Sequence, residues 1–162
     1  MHKRTLIAWL KDAHSMETRS LPILRRRIGD EPLGLAARAR RESHVRETEQ
    51  HVERLGEALR ALGSAPTPGL GSSEAVVILT QDISSRVFSD RVVVGAVADL
   101  AAEQFEVAAY TALIAAAEHA GEAEVARLCR LNRGEDEDMA EWLDAQIPIV
   151  VARTLGHTPE NR

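Results

Sequence analysis

The sequence predicts an all-α protein: a four-helix bundle with a long crossover that carries a short extra helix. Three observations lead to this fold. Apolar residues recur at three- and four-residue spacing over long stretches, as amphipathic helices require. Alanine and leucine dominate while aromatics make up only 3%, a balance that favours helices over sheet. Turn-forming residues are confined to a few places, and one long Ser/Pro/Gly stretch separates two helical halves. With 44% hydrophobic and 28% charged residues the chain is globular. Residues 1–162 are expected to form a single helical-bundle domain, with a polar tail from about 156.

Residues 5–27 read as helix one, with Leu6, Leu10, Ala13, Glu17, Leu21 and Leu24 on one stripe. Pro22 cannot donate to residue 18, so a kink is expected one turn after Glu17. Gly29-Asp30-Glu31-Pro32 stops this helix and starts the next. Helix two spans 33–62, with Leu33, Ala37, Leu55, Leu59 and Leu62 inward, and stops at Gly63. Residues 64–71 are a loop by composition. Ser72 or Ser73 caps a shorter helix over 74–86. The alternative is a strand over 76–79, disfavoured because no second strand-like run exists to pair with it. Helix three opens at Ser89-Asp90 and runs to His119, and Ala120-Gly121-Glu122 is a turn. Helix four spans 122–147, where Pro148 interrupts it, and a short helical tail over 149–155 precedes the polar end. Tight links make helices one and two, and helices three and four, antiparallel hairpins. The connection between the hairpins is long enough to return along a helix, which is the ferritin-like arrangement.

The stretch from His44 to His51 organises the chain. At helical spacing His44, Glu47 and His51 continue the inward stripe of helix two through its middle. A buried stripe should be apolar, because an unpaired buried charge is expensive. Here its middle turns carry metal-ligand residue types instead. The other helices repeat the pattern. Helix one carries Glu17. Helix three places Glu103 among Ala96, Leu100, Val107, Tyr110 and Ile114, with Asp99 and Glu106 flanking. Helix four places Glu135 among Leu128, Leu131, Met139, Trp142 and Leu143, with Asp138 three positions on. The separations within the two hairpins are nearly equal, so Glu17, Glu47, Glu103 and Glu135 fall at one level. Four facing carboxylates cannot all stay ionised without counter-charge. Two divalent metal ions would supply it, with imidazole nitrogen completing the coordination and iron placed ahead of manganese. The usual di-iron template has Glu-x-x-His on two helices. This chain has the reversed order His44-x-x-Glu47 on helix two, and Glu135-x-x-Asp138 without histidine on helix four. Gly134 weakens helix four just before its proposed ligand. Read blandly, each glutamate is instead a boundary residue and the run Glu135 to Asp138 a solvated acidic turn.

The net charge of −5 argues against nucleic acid, as does the lack of a basic face interleaved with aromatics. Cys129 alone permits neither an intrachain disulfide nor an all-cysteine zinc site. The basic N-terminus is followed by apolar positions that Lys11 and Asp12 interrupt, which is neither a signal peptide nor a membrane span. A cytoplasmic setting is expected.

Four segments in order carry a family resemblance: Trp9 to Glu17, His44 to Thr48, Glu103 to Tyr110, and Glu135 to Leu143. Through them the chain resembles the YciE/YciF-like ferritin-like proteins, a bacterial stress-associated family filed as a domain of unknown function. The resemblance runs over residues 6–147. It implies a ferritin-like bundle with an added short helix, a dimer and a di-metal site inside. Relatives commonly carry histidine where this chain has Gln104, and a bulky residue where it has Gly134.

Two functional readings follow. In the first, a di-iron or di-manganese protein handles peroxide, oxygen or iron under stress, with ferroxidase- or peroxidase-like activity. Its core ligands are Glu17, Glu47, Glu103 and Glu135; His44 and His51 compete for the nitrogen position, and Glu106 bridges. Tyr110 and Asp138 stand in a surrounding shell. In the second, the bundle is a non-enzymatic stress-associated scaffold or partner-binding protein with a vestigial site. A homodimer is expected, because Val76, Val77, Leu79, Ile147, Val150 and Val151 lie outside the four stripes.

Overall fold

The structure is a computed structural model and describes residues 2–30, 34–67, 80 and 82–156. Long helices account for most of it: α1 (His2–Asp30), α2 (Leu35–Ala61), α3 (Arg91–His119) and α4 (Ala123–Gly156). Residues 82–87 are helical and belong to the crossover. The choice between helix and strand at 76–79 lies outside the described residues, as does the polar end beyond 156.

The helices pack as two hairpins, α1 on α2 and α3 on α4. Contacts between the hairpins fix their directions. Ser20 meets Glu106 while Arg27 meets Asp99, so α1 and α3 are antiparallel. His51 meets Glu135 while Arg54 meets Asn132, so α2 and α4 are antiparallel. Arg41 with Asp99 and His44 with Glu103 make α2 and α3 parallel. Parallel succession obliges the chain between them to return along the bundle, which is the ferritin-like topology expected.

Both α2 and α3 end on a glycine in the left-handed region, Gly63 at φ 75° and Gly121 at φ 74°. The N–H of Ser64 reaches the Leu59 carbonyl and that of Gly63 reaches Arg60, both at 2.9 Å. Glu122 to Ala117 and Gly121 to Glu118 repeat the pattern at the α3 end. This two-bond closure satisfies carbonyls that a helix end leaves orphaned, and only glycine adopts its left-handed step without strain. At the other end of α3 the Asp90 carboxylate caps the N–H groups of Val92 and Val93.

The prolines do not stop the helices. Pro148 was expected to interrupt helix four, but α4 continues through it to Gly156. α1 likewise runs unbroken through Pro22. Both prolines and the residues four positions earlier, Asp144 and Thr18, face solvent, where water replaces the lost backbone bond. Apolar side chains including Leu6, Leu10, Leu55, Leu59, Leu113 and Val125 fill the half of the bundle nearest the Gly63 and Gly121 turns. Among the described residues, no helix is long and apolar enough to cross a membrane.

Gly134 sits mid-helix in α4, and a Cβ built there meets nothing within 4 Å. Its helical backbone suits alanine. Gly134→Ala should therefore stabilise the protein by about 0.5–1 kcal/mol through helix propensity and a less flexible unfolded chain. A higher denaturant midpoint with unchanged slope checks this; a lower midpoint would refute it.

Candidate metal centre

Halfway along the bundle, all four helices turn polar side chains onto the axis. Glu17 comes from α1, His44 and His51 from α2, Glu103 and Glu106 from α3, and Asp136 from α4, and all are buried. His44 and His51 are seven residues apart, two turns, so they share a face about 10 Å apart along the axis. Each imidazole heads a separate group. Glu17, His51 and Asp136 form one, and His44, Glu103 and Asp136 the other, with one ligand atom of each residue within 4.8 Å of the others in its group. Asp136 belongs to both.

The two imidazoles are held alike. His44 turns Nε2 to Glu103 Oε1 at 3.1 Å and Nδ1 to Glu47 Oε2 at 3.2 Å. Glu47 is in turn held by Arg40 at 2.9 Å and Ser43 at 3.1 Å. His51 turns Nε2 to Glu135 Oε2 at 2.8 Å, and Arg54 grips both oxygens of Glu135 at 2.6 and 3.0 Å. The inner nitrogen of His51 stands 3.3 Å from Glu17 Oε1 and 3.6 Å from Asp136 Oδ1. A second chain closes the Glu17 side. The Tyr110 hydroxyl donates to Glu17 Oε1 at 2.5 Å and accepts from Asn132 Nδ2 at 2.9 Å. Arg54 donates to Asn132 Oδ1 at 3.0 Å.

Of the residues singled out in the sequence, Glu17, His44, His51, Glu103, Glu106 and Tyr110 are brought together. Glu47 and Glu135 are only half-buried, each behind a histidine rather than on the axis. On α2 the buried face centres between His44 and Thr48, which leaves Glu47 about 80° off. On α4 the predicted stripe is out by one position. Its true core face runs Cys129, Asn132, Asp136, Ala140 and Leu143, while Leu131 is 43% exposed. One residue rotates a helix by about 100°, which replaces Glu135 with Asp136 and turns Asp138 out to solvent. Asp136 and Asn132 were missed because the stripe was aligned on the large apolar Leu131 and Trp142. The i, i+3, i+4 spacing of Cys129, Asn132, Asp136 and Ala140 was the signal available. Gln104 is exposed, so a histidine there would not face the cluster. Gly134 leaves α4 intact at this level.

The cluster is short of hydrogen-bond partners. Glu17 Oε2, Glu103 Oε2, both Asp136 oxygens and His51 Nδ1 are buried with none. A buried polar atom without a partner is costly, and here such atoms converge from carboxylates, which are hard oxygen donors, and from an imidazole, a borderline nitrogen donor. The donor set fits divalent cations. Electrostatics point the same way. Burial and the neighbouring carboxylates, Glu17 foremost, push both Glu106 and Asp136 up. Burial opposes a charged His44, but Glu103 and Glu47 outweigh it and raise it to about 10. His51 is raised too, burial being overcome by Glu135 and Glu17. Burial pushes Glu47 and Glu135 up, but a histidine and an arginine beside each hold them at about 2.

These features define a ferritin-like helical bundle with a carboxylate- and histidine-rich core. Residues 2–156 match the family described as Domain of unknown function (DUF892). The chain belongs to this family, that of the YciE/YciF-like proteins its sequence resembles. Solved structures agree in fold. A protein of Xanthomonas campestris pv. campestris is 27% identical, with TM-score 0.77 over 96% of both chains. YcfI from Rhodopseudomonas palustris is 23% identical, with TM-score 0.76 over 89% of this chain and 93% of that one. The E. coli stress protein YciF is 19% identical, with TM-score 0.71 over 94% of this chain and 98% of that one.

Stability of the metal-free protein should depend on pH in a definite direction. His44 has a folded value near 10 against 6.5 unfolded, so its contribution is complete below about pH 6.5 and lost as pH rises through 10. Glu106 and Asp136, also raised, weaken the fold as pH climbs above the ordinary carboxylate range. Glu47 and Glu135, held near 2, stabilise above 4.5 and cease to as pH falls through 2. With chelator present, the melting temperature should peak at mildly acidic pH and fall towards pH 9.5. A steady rise from pH 6 to 9.5 would contradict this charge arrangement.

Proposed function

We propose that the chain binds two divalent metal ions at mid-bundle, iron ahead of manganese, and handles peroxide, oxygen or iron under stress. The observation that carries this reading is Asp136, fully buried, shared by two acid–histidine groups, and with both oxygens unpartnered. Glu17, His51 and Asp136 would hold one ion, and His44, Glu103 and Asp136 the other, with Glu106 beside them. Iron ions bound there would supply electrons and Lewis acidity to a small oxidant. The protein's own groups have distinct tasks. Glu47 and Glu135 accept from the outer histidine nitrogens, which fixes the tautomer and leaves the inner lone pairs free for ligation. Tyr110 pins one oxygen of Glu17 and so aims the other. Cys129 lies in the apolar core, where burial pushes its thiol up to about 12, and takes no part in redox chemistry. The stress setting is supported by the relative YciF, described as a stress protein.

The scaffold reading draws on one observation: each imidazole bridges carboxylates of two different helices, which ties the bundle together by itself. Metal content separates the two. Protein purified without chelators should carry two ions per chain. Ferrous or manganous ion should raise its melting temperature by mass action, about 2.7 kcal/mol at a hundredfold excess over Kd for one site. Asp136→Asn should abolish the rise while leaving the metal-free protein no less stable, since it relieves buried repulsion. Glu47→Ala and Glu135→Ala should weaken metal binding by about 10–100-fold, and Glu53→Ala should leave it unchanged. A melting temperature indifferent to metal would favour the scaffold.

A homodimer is also proposed. Leu35, Val87, Val92, Ile149 and Leu155 are exposed and lie towards the end of the bundle where α2 and α3 begin and α4 finishes. Contiguous exposed apolar surface marks interfaces, and these residues are the ones a partner subunit at this end would cover. Light scattering should give twice the 17.7 kDa chain mass at micromolar concentration. Val92→Asp should reduce it, and a monomer mass for the unaltered protein would exclude the dimer.

A further inference from the structure

One guanidinium stands behind both ligand residues of the Glu17–His51 half. Arg54 lies three residues after His51 on α2, and Asn132 and Glu135 lie three apart on α4. Side chains one turn apart on each helix therefore meet across the bundle. Arg54 Nη1 donates both to Asn132 Oδ1 at 3.0 Å and to Glu135 Oε2 at 2.6 Å. Nη2 donates to Glu135 Oε1 at 3.0 Å and to Gln50 Oε1 at 2.8 Å. A guanidinium only donates, in a fixed planar fork, so its placement dictates which way each acceptor turns.

The first arm runs to Glu17. Because Asn132 Oδ1 faces Arg54, Nδ2 faces the Tyr110 hydroxyl at 2.9 Å and the His51 carbonyl at 3.4 Å. An amide nitrogen of this kind only donates, so the phenol oxygen accepts there and gives its one proton to Glu17 Oε1 at 2.5 Å. Oε1 is thereby occupied, and Oε2 is left buried and unpartnered. The second arm runs to His51. Glu135, gripped through both oxygens, takes the Nε2 side of the ring at 2.8 Å. A neutral ring then keeps its proton on Nε2 and turns the Nδ1 lone pair inward. Nδ1 is likewise buried without a partner. Both arms end on a free atom of the same group, Glu17, His51 and Asp136. On the other side the bond from Arg40 leads through Glu47 to His44, with the chain's single tyrosine committed to the Glu17 half.

We propose that Arg54 is a positioning residue for metal: it aims Glu17 Oε2 and His51 Nδ1 together, and so controls occupancy of the Glu17–His51–Asp136 position without touching the ion. The inference rests on the metal reading above and adds to it the residue on which one of the two positions depends.

Two measurements on the full chain test this. Tyr110 is the only tyrosine, so isotope-labelled tyrosine gives one phenol resonance, whose ring Cζ reports its hydrogen bonds in the metal-free protein. Arg54→Met and Asn132→Leu should both shift it. Titration with cobalt(II), which binds such sites at least as tightly as iron, then reads the two positions separately. Asn132→Leu and Glu135→Ala should each weaken one position by about 10-fold, and Arg54→Met the same position by roughly 100-fold, having lost both arms. The other position should keep its affinity. Arg40→Met should do the reverse, weakening the other position and leaving the tyrosine resonance in place, which a general loosening of the bundle would not. If Arg54→Met fails to fold, Arg54→Lys carries the test: it keeps the charge but lacks the fork, and should produce the same selective loss at smaller size. A tyrosine resonance indifferent to Arg54, or cobalt loss spread equally over both positions, overturns the inference alone. An unaltered chain that takes up no cobalt overturns the metal reading, and the control of occupancy with it.

Discussion

Like charge crowded into a buried layer is the constraint on which the middle of this bundle depends. Glu17, Glu103, Glu106 and Asp136 come from three helices and are all buried, so bulk solvent does little to screen their repulsion of one another. Without compensation the layer would force the helices apart or protonate. The structure supplies compensation twice in the same form. A histidine faces inward to the carboxylates, a glutamate holds its outer nitrogen, and an arginine holds that glutamate: His44–Glu47–Arg40 on one side, His51–Glu135–Arg54 on the other. Positive charge is thus fed from the half-exposed shell to the axis through aligned hydrogen bonds. These relays position the imidazoles but leave oxygens of Glu17, Glu103 and Asp136 unpartnered.

Stability and chemistry are divided along the length of the molecule. The half nearest the Gly63 and Gly121 turns is a packed apolar core of leucine, alanine and valine, closed by two glycine-terminated helix ends. That half can hold the helices in register without help from the cluster. The opposite half packs Arg27, Arg41 and Asp99 around a pocket instead of a leucine core. A polar layer between them is tolerable because hydrophobic burial on one side fixes its geometry, which unpartnered carboxylates could not do for themselves.

The fold was legible because it depends on period and punctuation. Apolar spacing, Gly63, Asp90 and Gly121 mark the helices, and the long second link implies the parallel succession of α2 and α3. The buried polar positions Glu17, His44, His51, Glu103 and Glu106 were legible on α1, α2 and α3, where they interrupt otherwise apolar stripes, but Glu47 was read as inward and lies half-buried behind His44. The site was misread on α4, whose core face carries Cys129, Asn132, Asp136 and Ala140, while Leu131 and Trp142 draw the eye to its flank. Periodicity locates a buried face by its hydrophobic residues, so it fails where the function has replaced them. Pro148 misled for a different reason. A proline breaks a helix only when the backbone bond it removes has no substitute, and on this exposed face water provides one.

The matching relays give the centre an approximate symmetry that its surroundings do not share. His44 and His51 are oriented by equivalent partners, so their inner nitrogens present similar basicity to whatever lies between them. Glu17, by contrast, is held by Tyr110 in a sealed environment, whereas Glu103 borders the pocket and Glu106 is steadied only by Ser20 among the hydrogen bonds described. A carboxylate fixed by a short phenolic hydrogen bond resists rearrangement; one beside an open pocket can change its contacts at lower cost. The two halves of the cluster therefore share residue types but not freedom of movement, one carboxylate being pinned by a phenol and the other bordering a pocket. That inequality follows from where the apolar core ends, not from the ligand residues themselves.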